Sequence, residues 1–588
     1  MRKNGKMTNN SQSENHNRDI NILEQAVPQY FDVASIRKAA EQGNVDAQFN
    51  MGLLFQVGKG VKQDYEEAAK WYRQAANQGD SHSQLNLGML HELGHGVPQG
   101  YKEASRWYRK AAEQGDVIGK NNLGLLYEEG LGVPQDYKKA ASWFREAAEL
   151  GFPHGKNNLG LLYEEGLGVP QDYEEAARWY REAAEQGIAE GQGNLGRIYL
   201  FGFGVPQDYE EAARWYHKAA EQGDVDSQQI LGWLCEIGQG VPQDYKVAAR
   251  WYRKAAEQGD ADSQYSLGLF YQNGMGVLQD YEEAAKWYRE AAEQGDAYSQ
   301  LKLGLLYERA HGLPQDYKEA AKWYRKAAEH GYAHGQNNLG LLYKKGLGVS
   351  LDYEEAASWF RKAAEQGETN GQTNLGLLYQ YGLGVPLDYE EAASWYRKSA
   401  EQGDVYGQNN LGLLYEQGLG VSLDFKEAAS WYRKSAEQGD AFGQNNLGLL
   451  YEQGLGVSLD YEEAARWYRK SAEQGNVRSQ SSLGWLYQNG QGVQQNYNEA
   501  AKWFRMAAEQ GNAYAQSKLG VLYFKGKGVS KNYVHSHLWI NLAASQDENE
   551  SYESMLDLVD ELMTPEQIAE AQRLANLWEP GLSLDDLK

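Results

Sequence analysis

A tryptophan recurs every 36 residues along this chain without a slip. From Trp71, in the string EEAAKWYR, the series runs through Trp107, Trp143, Trp179, Trp215, Trp251, Trp287, Trp323, Trp359, Trp395, Trp431, Trp467 and Trp503 to Trp539. That takes in fourteen of the 17 tryptophans. A glycine series from Gly43 to Gly511 keeps the same register. A fixed period of this length implies a stacked array, because one short unit cannot bury its own apolar face and its neighbours must supply the rest of the core. We frame fourteen units, 43–78 through 511–546. The flanks are short: 1–31 reads as a disordered polar N-terminal tail, 32–42 (DVASIRKAAEQ) as a capping helix, and 547–588 as a C-terminal helical cap and tail.

Each unit reads as two helices. The first covers about 45–57 in the first unit, with Asn44, or an aligned Asp80, Asp116 or Asp260, as N-cap. Ala47, Met51, Leu54 and Phe55 share one stripe at helical spacing. Gly58 and Gly60 end the helix, where a positive φ is cheap for glycine. The second helix covers about 65–78, with Asp64 and Glu67 spaced as a capping box. Gly79 stops it. Tyr65, Ala68, Ala69, Tyr72 and Ala76 form its buried face, and Trp71 lies beside that face, towards the next unit. The columns of Phe55, Tyr65, Trp71 and Tyr72 hold 53 of the chain's 72 aromatic residues. Aromatics repeated in every unit are core, not a cofactor box. The expected fold is all-α, a superhelical solenoid of helix-turn-helix repeats.

The repeated string, read in the third unit as Gly119…Leu123-Gly124…Tyr127…Gly130-x-Gly132-Val133…Asp136…Ala140…Trp143-Phe144…Ala147-Ala148, resembles the Sel-one-like repeat, a relative of the tetratricopeptide repeat. The resemblance covers 43–546 without a gap. It implies a right-handed α-solenoid that scaffolds protein complexes, with no catalytic residues and no cofactor. The cysteines that staple secreted members, and the signal and anchor of endoplasmic-reticulum members, are not in this sequence. The resemblance therefore points to a cytoplasmic bacterial member, with export as an effector lacking a cleavable signal as the alternative.

Charge and cysteine usage narrow the classes further. The chain carries 57 basic and 82 acidic residues, a net −25. That balance argues against nucleic acid, whose binding needs a basic face, and against a polybasic membrane anchor. One cysteine cannot form an in-chain disulfide or a cysteine-only zinc site. No apolar stretch approaches the ~20 residues of a spanning helix.

Two strings mimic catalytic motifs. His91-Glu92-Leu93-Gly94-His95 fits HExxH, which sets two imidazoles one helical turn apart beside a glutamate, the arrangement of zinc metalloproteases. In the repeat frame His91 stands in the core tyrosine column and His95 falls where the helix ends. Ser299-Gln300-Leu301-Lys302 fits the SxxK of β-lactamase-like hydrolases, yet Ser299 occupies a small-residue packing column and no SDN or KTG follows. Cys235 replaces a core tyrosine and reads as a buried, inert thiol. The expected catalytic, metal and cofactor residues are therefore none.

If the columns are core, function lies where units differ. On the first helix the stripe opposite the core holds positions 46, 49, 53, 56 and 57 and their repeats. By analogy with tetratricopeptide relatives this face lines the concave groove. It carries Glu128, Glu129, Glu164 and Glu165 in units three and four, then Tyr298, Arg309, Lys345, Tyr381, Tyr406, Phe442 and Tyr514 from unit eight onward. Aromatic anchors among charges suit protein or peptide partners. Asparagine fills the column of Asn50 in nine of fourteen units, and the expected use is an inter-unit hydrogen bond to a loop carbonyl.

Overall fold

The computed structural model describes residues 32–546, 550–583 and 586. The described residues form 31 helices and no strand. The chain divides into two compact units, Met1–Ala291 and Ala292–Lys588. Both are built from the same helical pair.

In the first repeat the helices are Val45–Val57 and Tyr65–Asn77. Asn44 caps the first by accepting from the Ala47 N–H at 2.8 Å. Gly58 closes it in the left-handed region at φ 72° and donates its N–H to the Leu54 carbonyl. Asp64 starts the second helix by accepting from the Glu67 N–H at 3.0 Å. Only this half of the expected capping box forms. The Asp64 N–H donates to the Phe55 carbonyl at 2.9 Å, and the Glu67 carboxylate pairs with Lys70 instead. The second helix ends at Asn77, one residue early, with Gln78 as its cap, its amide on Gln48 at 2.7 Å, and Gly79 following at φ 100°.

Two glycine columns set how closely the pieces approach. A Cβ on Gly52 would lie 2.5 Å from the Tyr72 ring, so the two helices of a repeat pack backbone against ring. A Cβ on Gly96 would lie 2.2 Å from the backbone of Tyr65 in the preceding repeat, so the loop glycine also lets successive repeats touch. Ala310 holds a glycine's place at φ 57°, and it is the one non-glycine with positive φ among the described residues.

The core does not follow the sequence frame. One cluster joins Ala392, Ala393, Tyr396 and Ala400 of one repeat to Leu411, Leu414 and Trp431 of the next. The same grouping recurs with Trp215, Trp467 and Trp503. Each tryptophan therefore reaches back to the second helix of the preceding repeat, not forward as its helical angle suggests.

Polar ties stitch the same junctions. Arg109 donates to the Tyr127 hydroxyl at 2.7 Å, and Arg145, Arg361 and Arg433 repeat the contact one unit on. Gln48 donates to the Ala40 carbonyl at 3.0 Å, across the same kind of junction. Asparagine does bridge repeats, but its acceptor is another asparagine. Asn158 donates to Asn121 and Asn194 to Asn157, at 3.0 and 2.9 Å. Asn374 donates to Asn337 and Asn446 to Asn409, both at 3.0 Å. The two asparagines of neighbouring helices face each other across the interface and satisfy one another before any loop comes within reach.

Helix Val33–Glu41 packs Val33, Ile36 and Ala40 onto the first repeat. At the other end, helices Glu550–Asp560 and Pro565–Leu577 follow the last repeat, and Trp578 meets Trp539 edge-on at 5.9 Å. The tail expected at 1–31 lies outside the described residues.

Candidate functional site

The residues singled out on the first helices fall at three positions in each helix. Tyr298, Tyr406, Phe442 and Tyr514 are second residues of their helices, in the first turn. Glu129, Glu165, Arg309, Lys345 and Tyr381 are last residues. Glu128 and Glu164 are next to last. The rims are open: Tyr381 is 62% exposed, Phe442 60%, Tyr406 59% and Tyr298 53%. Glu129, Glu165, Arg309 and Lys345 are exposed as well. Tyr298 leans edge-on against Tyr332 at 4.8 Å. Tyr514 carries the Lys518 ammonium over its ring at 4.9 Å.

In the first unit the acidic residues differ in how they are held. Arg197 clamps Glu164 with two nitrogens, and the Tyr180 hydroxyl donates to the same carboxylate at 2.7 Å. Burial pushes Glu164 up, and the Arg197 and Tyr180 contacts outweigh it, so its pKa lies below the ordinary value. Glu164 is thus part of the scaffold. Glu128 sits in the same column, but the residue facing it is Phe144, which has no hydroxyl. Burial, with Glu129 and Glu165 adding repulsion, raises Glu128 from 4.5 to about 7. Glu129 is raised by burial too. Both glutamates end a helix, where the macrodipole disfavours negative charge.

The two motif-like strings are absorbed by the repeat. His91 is buried, with Nε2 3.4 Å from the Arg73 guanidinium and Nδ1 3.4 Å from the Pro98 carbonyl. It replaces the tyrosine that other arginines of this column bind. Glu92 accepts from the Tyr108 hydroxyl, as its column does elsewhere. Ser299 is fully buried, and its N–H is held by Asp296 in the first helical turn. Cys235 is buried, and burial raises its thiol. No group of three or more His, Cys, Asp or Glu residues set to hold a metal occurs among the described residues. None of their helices is long and apolar enough to cross a membrane.

In the second unit a pocket of about 380 Å³ opens on the first-helix face between the twelfth and fourteenth repeats. Asn445, Asn446, Trp485 and Tyr514 line it, and Arg478 and Glu452 bring the charges. Asn445 donates to Asn446 at 3.1 Å and accepts from Ser479 at 2.8 Å. Glu452 is taken up by the Tyr468 hydroxyl.

Comparison with known proteins fits this geometry. The Sel1 repeat pattern matches fourteen consecutive segments, from 45–80 to 513–548. The chain belongs to the Sel1 repeat family. Among solved structures, a protective antigen of uropathogenic Escherichia coli with an SLR fold is 39% identical, covering 74% of this chain and 94% of its own, with a TM-score of 0.66. A Sel1 repeat protein from Oxalobacter formigenes is 32% identical over 56% of this chain and 93% of its own, with a TM-score of 0.46. No curated protein matches the sequence significantly.

Within this Sel1 array the informative residues are those that break a column. The three tryptophans outside the period are Trp233, Trp485 and Trp578. Two of them, Trp233 and Trp485, stand in the column of Leu53 on the first-helix face, and Trp233 is 40% exposed. Phe201 and Ile237, at the last positions of their helices, are 56% and 39% exposed. These four and Arg478 lie on the stripe we read from the sequence, but we did not single them out there. The signal that finds them is subtraction: strike out every residue shared by a column, and keep large or charged residues left on the open stripe. A second break lies in the loops. Gln135 donates to the Glu128 carbonyl and the Tyr137 hydroxyl, both at 2.8 Å. In four successive Sel1 repeats leucine replaces this glutamine, and Leu351, Leu387, Leu423 and Leu459 are each 58% exposed.

Proposed function

We propose that this Sel1 repeat protein is a non-catalytic scaffold that binds partner proteins or peptides along the first-helix face. Sel1 repeat solenoids are in general protein-interaction scaffolds, and the array of fourteen repeats supplies the frame. The observation that carries the reading is local electrostatic disfavour. Glu129 and Glu165 end their helices and Arg478 begins one, each the wrong sign for the helix dipole. Residues that oppose their own helix, and rings that stand more than half exposed at Tyr298, Tyr381, Tyr406 and Phe442, suit contacts outside the chain. The acidic rim suits a basic partner surface, and the aromatic rim suits apolar anchors.

We place the protein in the cytoplasm, a reading supported by a single buried cysteine and checked by fractionating the source cell with an antibody to the chain. The interaction itself is tested by immobilising the full chain and capturing partners from the source lysate. One variant changes Tyr298, Tyr406 and Phe442 to Ser. A second changes Glu129 and Glu165 to Gln. A control changes Lys70, Lys286 and Lys322, which are exposed on second helices, to Ala. Capture is expected to fall with one or both first-helix sets and to persist with the control. Loss with the control alone would place binding on the opposite face.

A further inference from the structure

We propose that the pocket between the twelfth and fourteenth repeats receives an acidic side chain of an extended peptide together with its aromatic neighbour. This rests on the reading of the first-helix face as a binding face and names its ligand chemistry at one place.

The charge argument comes first. The anion in the lining, Glu452, already accepts the Tyr468 hydroxyl. Among the described residues Arg478 makes no ion pair, although the chain carries net −25. It sits in the first turn of helix Val477–Asn489, where free N–H groups and the helix dipole already favour an anion. A guanidinium there adds a forked donor to the same spot. Of the three first helices that line the pocket, Ala441–Gln453 begins at Asp440 and the other two begin at the neutral Asn476 and Asn512.

The shape argument is independent of charge. Trp485 takes the place of a leucine that the same column carries at Leu413 and Leu449. It is half-buried against the core clusters on its inner side. Tyr514, 40% exposed, lies edge-on to Phe504 at 6.5 Å. The two rings line the pocket together with the two asparagines. Asn445 and Asn446 each spend one N–H and one lone pair on their neighbours, and the half-exposed Asn446 keeps one of each for a ligand. A spare amide donor and acceptor fit a peptide backbone, and the ring pair fits a planar side chain beside it. A volume of about 380 Å³ is at the small end of ligand pockets, which run roughly 300–1,000 Å³. It holds one or two side chains rather than a folded surface.

The test uses the full chain and fluorescein-labelled, C-terminally amidated peptides, read by fluorescence anisotropy. The probe is Gly-Ser-Asp-Phe-Asp-Phe-Gly-Ser; its controls replace both Asp by Asn, both Asp by Lys, or both Phe by Ser. The Asp-Phe peptide is expected to bind tightest, with the Asn version about tenfold weaker, the scale of one lost charge-assisted contact. Arg478→Gln should weaken the Asp-Phe peptide by about the same factor and leave the Asn version unchanged. Arg478→Glu should turn the preference towards the Lys version. Trp485→Leu, which restores the residue of other repeats, should weaken both Asp-Phe and Asn-Phe peptides and leave the Phe-free peptide unchanged. Circular dichroism confirms that each variant keeps its helices. Equal affinity for the Asp, Asn and Lys versions, or binding indifferent to Arg478→Gln, overturns the proposal. If Phe-containing peptides bind and the loss follows Tyr406→Ser and Phe442→Ser instead, the pocket assignment falls while the broader reading of the face stands. Absence of binding by all four peptides overturns the pocket assignment, and the capture experiment then judges the face on its own.

Discussion

The third and ninth repeats make the same departure from the pattern and answer it with opposite charges. In both, phenylalanine stands where most repeats have tyrosine: Phe144 in one, Phe360 in the other, each fully buried. The missing hydroxyl is the donor that Gln56, Glu164 or Gln380 receives elsewhere. The third repeat puts Glu128 and Glu129 at this end of its first helix, and the ninth puts Lys344 and Lys345. Burial drives both inner residues towards neutrality. Glu128 rises to about 7, and Lys344 falls below its ordinary value, with Lys345 adding repulsion. The scaffold beneath is the same, so it requires neither sign. The comparison teaches that packing and surface chemistry are set by separate columns, and that a repeat can invert its charge without touching its core.

The largest expected effect would break the claim of a common scaffold. Phe144→Ala and Phe360→Ala should each cost about 3–5 kcal/mol, seen as a loss of amide protection around the altered repeat. A clear difference between the two costs would mean that the repeats are not packed alike. Next in size is the pH response. Glu128 binds protons more tightly folded than unfolded, so stability should fall as pH rises from about 4.5 to about 7. The cost is at most about 3 kcal/mol at ~1.36 kcal/mol per unit, and Glu128→Gln should remove that slope in chemical denaturation. Lys344 binds protons less tightly folded, so its sign is opposite. Stability should rise with pH as the medium approaches the 10.5 of the unfolded lysine, and Lys344→Gln should flatten that limb.

Two smaller effects sharpen the comparison. Phe144→Tyr restores the hydroxyl to Glu128 and should stabilise by about 1 kcal/mol, while lowering the carboxyl's pKa as followed by NMR titration. Phe360→Tyr offers the same hydroxyl to an ammonium and should gain less. Equal gains would show that the hydroxyl is satisfied by something other than the facing side chain. The smallest effect is in the loop. The third repeat has Gln135 where the ninth has Leu351, and Leu351→Gln should add about 0.5 kcal/mol through one more hydrogen bond to the helix end. A thermal melt unchanged by that substitution would mean that the glutamine contact is incidental.

Helix positions were legible in the sequence because apolar spacing, caps and stop glycines agree in every repeat. Val45–Val57 starts and ends as its own residues dictate. Three features were not legible, and the first two depend on the neighbouring repeat. The direction of the tryptophan depends on the preceding repeat's second helix, against which its ring packs. The partner of Asn158 lies 37 residues away, which one unit read alone cannot show. Glu67 fits a capping box by spacing, yet Lys70 at i+3 competes for it. On the binding face, the exposed rings at Tyr381 and Phe442 were visible as variable positions. Glu164 looked equivalent to Glu165 until Arg197, 33 residues on, claimed it.

Because each core cluster spans a junction, and each tie reaches only into the adjacent repeat, the array has no privileged place to begin or stop. Unequal recombination between two copies of such a gene, if it respects the repeat length, leaves Arg-to-Tyr and Gln-to-carbonyl partners in register wherever the exchange falls. Lineages can therefore gain or lose whole repeats while each remaining junction still finds its mate. The exceptions are the places where both sides of a junction have changed together. His217 occupies the arginine column just ahead of Cys235 in the tyrosine column, and an exchange between them would face an arginine with a thiol or a histidine with a phenol. Such co-adapted seams act as brakes on copy-number change, and a comparison of strains should find array length varying elsewhere first.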